Sequence, residues 1–429
     1  MAKLHAITSH LARRRAARYA VPVAIVAMAA GGIGLAPAFA GDRAPDLPEV
    51  TAEELVARIA AADAPQLTGT VKVTADLGLP ALPGLPGGAG DRQGAVGGAE
   101  RGGRGADGGG DTARRPSADP QRRLLQLASG THVLRVAVDG PERQRLSVLE
   151  DAAEYSVVRN GRDVWAYDSA THRVHHATLP PRRSAGRPSG DAAELTPQQL
   201  AARALDAVDD STAVTVDGTG RVAGRDAYHL VLRPKGPENA ESTVGSVRIA
   251  VDAERGVPLR FTLRPADGGA AVVDARYTEV DFARPDADTF AFTPPKGAEV
   301  TEAEPADRRG AGLLPALSPE VLGEDWHQVA RLTLPGGLPL PDAGARGGAE
   351  HAAPGLSALL DEVTTEVKGE FGTGRVLTTR LVNVLLTEDG QVYLGALTPE
   401  GLVEAAEAAP APAGDRRGAA DDTEDTEDR

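Results

Sequence analysis

Residues 277–296 read YTEVDFARPDADTFAFTPPK, and how this stretch is placed decides the fold. Tyr277, Val280 and Phe282 are the bulky members of a strand. The strand breaks at Arg284-Pro285, because proline lacks a ladder donor and restricts the residue before it. Extended chain resumes at Phe290-Ala291-Phe292 and stops at Pro294-Pro295. Phe290 and Phe292 are two residues apart, so an extended chain sends both to one face. The whole chain has only six Phe in 429 residues, so two on one face mark a packed position. The expectation is a closing edge strand that plugs its aromatics into a core.

Upstream the chain is a run of strands. Leu259, Phe261 and Leu263 alternate with Arg260, Thr262 and Arg264. Val247, Ile249 and Val251 alternate with Arg248 and Ala250. Tyr228, Leu230 and Leu232 face away from His229, Val231 and Arg233. Ala213–Val216 and Arg221–Gly224 read as two further short strands. Earlier still come Thr131–Val138, Arg143–Leu149, Glu154–Val158, Val164–Tyr167 and Arg173–Leu179, with the hairpin signal Asn160-Gly161 among them. Trp165 and Tyr167 share a face. Short alternating strands with tight turns argue an antiparallel sheet, apolar on one side and wet on the other. A single sheet of that kind must curl to cover its apolar face.

Two helices accompany the strands. Thr51-Ala52-Glu53-Glu54 is a capping box that starts a short helix carrying Leu55, Val56 and Ile59. Thr196 as N-cap, Pro197 and Gln199 start a second, with Leu200, Ala204, Leu205 and Val208 on one face. That helix packs over a sheet or covers an opening in one.

The flanks differ in composition. Arg13-Arg14-Arg15, the apolar run Ala20 to Leu35 and Ala38-Phe39-Ala40 make a secretory signal peptide cut after Ala40, with an uncleaved membrane anchor as the alternative. Either places the protein outside the cytoplasm, secreted or in the cell envelope. Residues 78–120 hold 14 Gly between Gly78 and Gly110 and cannot bury enough apolar surface to order themselves. Thr301 to Gly323 is a Pro/Glu/Arg linker. Beyond it, Trp326–Leu334 reads as a strand, Gly355–Glu362 as a short helix and Arg375–Leu386 as one central strand, apolar on both sides. Gln391–Leu397 then forms a strand and Glu400 to Ala408 a last helix. Ala409 to Arg429 is an acidic tail.

Composition removes several classes of chemistry. There is no Cys, hence no disulfide, thiolate metal site or cysteine nucleophile. The formal charge is −15, which disfavours a nucleic-acid partner, and the excess of Arg over Lys, 41 against five, reads as codon bias of a GC-rich genome. No Gly-rich phosphate loop or G-x-S-x-G elbow occurs. The paired carboxylates Glu53-Glu54, Asp209-Asp210 and Asp421-Asp422 sit at helix ends and in the tail, where solvation and dipoles place them. His172, His175 and His176 do not make a metal site: the adjacent pair points to opposite faces, and His172 and His176 stand about 13 Å apart at strand rise. No cofactor and no catalytic group is expected.

The order of these pieces resembles a known family. The hairpin VWAYDSATHRVHHATLP, the segments GRDAYHLVLRPK and VDAERGVPLRFTL, and the closing FAFTPPKG match the W-x-Y-D, D-x-x-x-G-x-P-L-R and F-x-F-x-P-P-x-G patterns of the LolA-like superfamily. That superfamily includes the LolA and LolB lipoprotein carriers and the N-terminal domain of the RseB/MucB regulators. The resemblance runs from about Glu49 to Val300. It implies a mainly β fold with α: an unclosed antiparallel β-barrel with short lid helices, here followed by a small C-terminal α+β module. The domains are then 1–40 signal peptide, 41–300 binding domain with the 78–120 insertion disordered, 301–323 linker, 324–408 module and 409–429 disordered tail. It also implies binding without catalysis, of lipid acyl chains or lipoproteins in an apolar cavity. The alternative is an extracytoplasmic regulator that binds a membrane anti-sigma factor. An envelope hydrolase ranks below both. The glycine-rich insertion departs from the compact carriers, and no arginine of this sequence is assigned to their lid-locking position. Trp165, Tyr167, Leu230, Leu232, Ile249, Phe261, Leu263 and Tyr277 are the expected cavity residues, with Ala166, Ala250 and Ala275 leaving room between them. Phe290 and Phe292 would plug one end of the barrel. N-terminal sequencing of the exported protein tests the first boundary: the mature chain should start at Gly41, and a retained Met1 would show an uncleaved anchor.

Overall fold

The computed structural model describes residues 44–62, 66–78, 129–150, 152–179, 196–302, 320–333 and 362–409. The predicted signal peptide lies outside the described residues. So do nearly all of the glycine-rich insertion, the predicted helix up to its last residue, and the tail from residue 410.

The first sheet has twelve strands. One meander runs outward: β2 (Gly130–Asp139), β3 (Arg143–Leu149), β4 (Glu154–Asn160), β5 (Asp163–Asp168) and β6 (Arg173–Thr178). A second runs back: β7 (Thr212–Val222), β8 (Arg225–Pro234), β9 (Val244–Asp252), β10 (Pro258–Pro265) and β11 (Val273–Asp281). β1 (Gln66–Ala75) lies between them, antiparallel to β2 on one side and to β11 on the other. β12 (Glu299–Glu302) adds to β6 as the sheet's one parallel pair. The sheet is not closed: β12 and β7 are its two ends. It is strongly curled all the same, since residue pairs of β7 and β11 lie within 8 Å although three strands separate them in the sheet. This is the curled antiparallel sheet that the strand pattern called for, and it has the unclosed-barrel form that the resemblance implied.

The capping box forms as read. Thr51 Oγ1 accepts from the Glu54 N–H at 3.1 Å and Glu54 Oε2 accepts from the Thr51 N–H at 3.2 Å, which starts α1 (Ala52–Ala61). Thr196 caps α2 (Pro197–Asp206) with Pro197 in its first turn. Asn160-Gly161 turns β4 into β5, with Gly161 at φ +63°. The two short strands expected over 213–216 and 221–224 are one strand, β7, with a register shift between Val216 and Thr219. A bulge holds the ladder together across the interruption that the sequence presents as a gap.

The opening stretch is where the structure differs most. β11 is no edge strand, because β1 and β10 flank it. After Asp281 the chain leaves the ladder and crosses the other face of β2–β6 as a strap. The Phe282 ring stacks between the Arg225 and Arg255 guanidiniums, at 5.1 and 4.7 Å. Arg284 pairs with Asp139, and Arg145 donates to the Thr289 carbonyl at 3.2 Å. Residues Ala287–Phe290 form a 3-10 turn, not a strand, and Phe290 is 1% exposed against β3 and β4. Phe292 sits against Trp165 and Tyr167, at 5.5 and 6.0 Å between ring centres. The two aromatics therefore pack on the sheet's outer face and do not plug a barrel end. Proline at 285 and the 3-10 turn break the extended spacing on which that expectation rested. The strap ends as β12, whose Glu299 pairs with Arg173 and whose Glu302 meets His176. A short, acidic closing strand of this kind blunts an open sheet edge.

A second sheet follows in the order β13 (Glu320–Leu322), β14 (Val329–Thr333), β18 (Gln391–Gly395), β17 (Asn383–Thr387), β16 (Gly372–Leu377) and β15 (Thr364–Gly369). α3 (Pro399–Glu407) packs on it over a small core of Val329, Val376, Leu385, Tyr393, Leu397 and Leu402. Residues 325–327 are a 3-10 turn, so the strand expected from Trp326 starts later, at Val329. The single strand expected over 375–386 is two, β16 and β17. Asn383 Oδ1 accepts from the Thr379 N–H at 2.7 Å and fixes the loop between them. The continuous apolar run hides that turn, because Leu381 and Val382 are buried not in this sheet's core but in the first one.

The strap predicts an order of mutational cost. Phe290→Ala should lose about 3–5 kcal/mol of unfolding free energy, as full truncation of a buried Phe does, and the half-buried Phe292→Ala clearly less. Chemical denaturation of the two variants checks this; the reverse order would disprove the strap packing.

Candidate functional site

The alternation along each strand sorts side chains onto two faces. The inner face carries Val71 and Val73 of β1, Leu134 and Val136 of β2, and Leu146 and Val148 of β3, all in one buried core. On the other half of the sheet the ladder registers Leu230 with Ile249, Ile249 with Phe261, and Phe261 with Ala275. The next row registers Leu232 with Val247 and Val247 with Leu263. Tyr277 lies opposite Val71. Six of the expected cavity residues thus fall on one continuous apolar surface: Leu230, Leu232, Ile249, Phe261, Leu263 and Tyr277. Ala166 and Ala275 lie on it too, whereas Ala250 registers with Arg260 and His229 on the opposite face.

The other two expected residues point away from it. Trp165 and Tyr167 alternate with the core residue Ala166, so they occupy the outer face under the strap. The Trp165 ring stacks on His176 at 3.8 Å. Tyr167 contacts His172, whose ring also reaches the Lys296 carbonyl at 3.3 Å. His176 meets Glu302 at 2.8 Å and Asp163 at 3.2 Å. The Glu302 contact is absent from local sequence spacing because 126 residues separate the partners. Among the described residues no group of three or more His, Asp and Glu is arranged to hold a metal ion.

α2 roofs the inner face, packed on β9, β10 and β11. Its Leu200 and Ala201 are buried in the same core, and Ala204, Leu205 and Val208 pack against it. A hydrogen bond joins roof and floor: the Tyr277 hydroxyl donates to Gln198 Oε1 at 3.0 Å. Tyr277 is 1% exposed. Burial pushes its pKa well above that of an ordinary phenol, against the opposing pull of the Gln198 bond, so the hydroxyl stays a donor. Among the described residues, Gln198 Nε2 is buried without a hydrogen-bond partner. A buried amide N–H in an apolar roof is a costly orphan and a ready donor for a polar group placed beneath it. Sequence reading had named Tyr277 but not Gln198, whose N-cap-adjacent position looked like helix-start chemistry alone.

Gly69 makes the Tyr277 position possible. A Cβ there would stand 2.7 Å from the Tyr277 ring and 2.7 Å from the Glu279 carbonyl oxygen. The ring therefore lies across the β1 backbone, beside the register shift between Thr70 and Val71. A separate cleft of about 410 Å³ opens at the tips of the β2–β3 and β4–β5 hairpins, lined by Asp139, Glu142, Arg143 and Asn160. It is polar and is not part of the apolar face. Burial pushes the Asp139 carboxyl up, and Gln66, Arg143 and Arg284 more than offset this, holding it below the ordinary carboxylate range.

No protein-family model matches the chain, and no curated protein matches it. Among solved structures it is similar to MucB in the Pseudomonas aeruginosa MucA/MucB complex, at 16% identity over 83% of this chain and 96% of that one, with a TM-score of 0.37. It is similar to an uncharacterized conserved protein from Thermus thermophilus, at 13% identity over 59% and 99%, with a TM-score of 0.30. A LolA superfamily protein from Nitrosomonas europaea matches at 12% identity over 57% and 99%, with a TM-score of 0.20. Likenesses at these values bear no weight in assigning a ligand, which rests on the residues themselves.

Tyr277→Phe should lower stability by about 1 kcal/mol, the net worth of one hydrogen bond. Because the folded pKa of Tyr277 is raised, its contribution holds below the unfolded phenol value of about 10 and is lost as pH rises above it. Melting curves from neutral to alkaline pH should therefore fall less steeply above that value in Tyr277→Phe than in the parent. Gly69→Val should be worse than Tyr277→Phe, since the ring and the β11 backbone have nowhere to move.

Proposed function

We propose that this protein is a non-catalytic, extracytoplasmic binding protein that holds acyl chains of a lipid or lipoprotein between the inner face of its sheet and α2. The observation that supports the reading most is the roof itself. An apolar helix face covers an aliphatic sheet face, and the Tyr277–Gln198 hydrogen bond fastens the two together. Separation of α2 from the sheet breaks this bond and exposes apolar surface that an acyl chain can cover in its turn. The orphan N–H of Gln198 suits the carbonyl of an ester or thioester at the chain's polar end. Leu230, Leu232, Ile249, Phe261 and Leu263 form the floor, and Tyr277 marks the polar end of the path. Trp165 and Tyr167 take no part in this version of the site.

A second reading makes the bound acyl chain a signal and the protein a regulator of a membrane anti-sigma factor. The second sheet favours it to the extent that it is joined firmly to the first. The Arg380 N–H donates to the Leu77 carbonyl at 2.8 Å, Thr243 N–H to Ala396 at 2.9 Å and Thr398 N–H to Glu241 at 2.8 Å. A change at the floor would reach a partner on the second sheet through these bonds. Recovery of a membrane regulator by the immobilised protein would favour this reading over carriage.

Native mass spectrometry of the exported protein tests the binding itself. A lipid adduct is expected, and Gln198→Ala should release a fluorescent fatty acid several-fold faster than the parent. An apo mass together with no fatty-acid uptake would defeat both readings.

A further inference from the structure

The outer face opposite the proposed site carries an unexpected charge pattern. Lys72 of β1 lies directly opposite Arg276 of β11, and Arg276 directly opposite Arg260 of β10. Arg135, Arg248 and Arg264 extend the same face on β2, β9 and β10, by alternation with core residues. Three acids share it. Asp274 pairs with Arg260 at 2.6 Å and with Arg276 at 3.1 Å, Asp217 pairs with Arg248, and Glu279 stands opposite Thr70. Six cations against three acids leave a formal +3 on a face of a chain whose net charge is −15. Among the described residues, Lys72 and Arg135 have no ion-pair partner. Like charges directly opposite across a ladder are destabilising. His229, on the same face, has its pKa lowered by burial and then by Arg248 and Arg260, so the local field is positive despite Asp217. The strap covers β3 and β4, and among the described residues no helix or strand packs over this part of β1 and β9–β11.

We propose that the acidic C-terminal segment Asp421–Arg429 of this same chain folds back over the face and is its occupant. The segment reads DDTEDTEDR, six acids and one base, and supplies the complementary charge at high density. It is within reach. α3 begins against Glu241, at the end of the sheet where β8 turns into β9, and ends about 14 Å further on at Glu407, beside Glu370 of the β15–β16 turn. Residues 410–421 can span up to about 40 Å when extended, whereas the face from β2 to β9 is only about 20 Å wide at ordinary strand spacing. An extended acidic strand lying across Lys72, Arg276 and Arg260 gives each cation a carboxylate, neutralises the row and withholds the face from other anionic surfaces.

Lys72 makes the proposal testable, because the chain has only five Lys. Treating the full chain with a water-soluble carbodiimide converts touching amine–carboxylate pairs to amides, which peptide mapping locates. A link from Lys72 to one of Asp421, Asp422, Glu424, Asp425, Glu427 or Asp428 within a single chain is expected. Its yield should fall on the order of tenfold in 1 M salt, where the screening length is about 3 Å, and similarly in the Arg260→Gln/Arg276→Gln variant. The neighbouring Lys368–Glu366 pair, 3.7 Å apart in the second sheet, reports that the reaction worked. Lys72 left unlinked while that pair reacts overturns the proposal. So does a Lys72 link found only in covalent dimers, which makes a second copy the occupant. A link insensitive to both salt and the double variant also overturns it.

Discussion

Everything in the large sheet depends on one long-range seam, the pairing of β1 with β11. The remaining antiparallel pairs join strands consecutive in the chain, so two meanders can form from local turns. The seam unites them in one antiparallel ladder, which the strap and β12 then reinforce, and it brings residues 66–75 against 273–281. A contact of that sequence separation is entropically expensive and slow to make, so it must be favourable once made. Gly69 and Tyr277 show how. The missing Cβ lets the ring cross β1, the ring fills the inner face, and its hydroxyl meets α2. Seam, floor and roof therefore share a single residue, and the proposed ligand path cannot be altered there without disturbing the fold.

The seam also gives the sheet two unlike faces. The inner face is aliphatic and roofed. The outer face is divided: the strap's Phe290 and Phe292 cover the first meander, while the second meander and β1 carry arginines whose stems shield small residues such as Ala250. Phe292 lies where the strap is pinned to the sheet from outside, against Trp165 and Tyr167, whereas Tyr155, Tyr228, Phe261 and Tyr277 are buried in the inner core.

The second sheet is anchored through the ends of the first one's strands. Arg380 reaches Asp76 and the Ala270 carbonyl, beside its backbone bond to Leu77, and Leu381 and Val382 enter the first sheet's core. Trp326 donates to Thr212 at the start of β7. The end of the apolar floor near Leu77 is therefore closed by the C-terminal chain.

Strict alternation decided the strands and which side chains share a face, and hence that six of the eight expected cavity residues lie together on one apolar surface. Local hydrogen-bond chemistry decided the helix starts at Thr51 and Thr196. These were legible because the physical cause lies within a few residues of its effect. What the sequence could not reveal is the set of contacts made across hundreds of residues. Trp165 and Tyr167 sit on the outer face although their alternation was read correctly, because alternation groups residues without saying which group is buried inside. The run 375–386 conceals a turn because its two apolar members there serve another core. The stretch 277–296, from which the fold was argued, is half central strand and half strap. Its first half obeys the ladder, and its second half was decided only by the aromatic and acidic partners that the folded sheet brings beneath it.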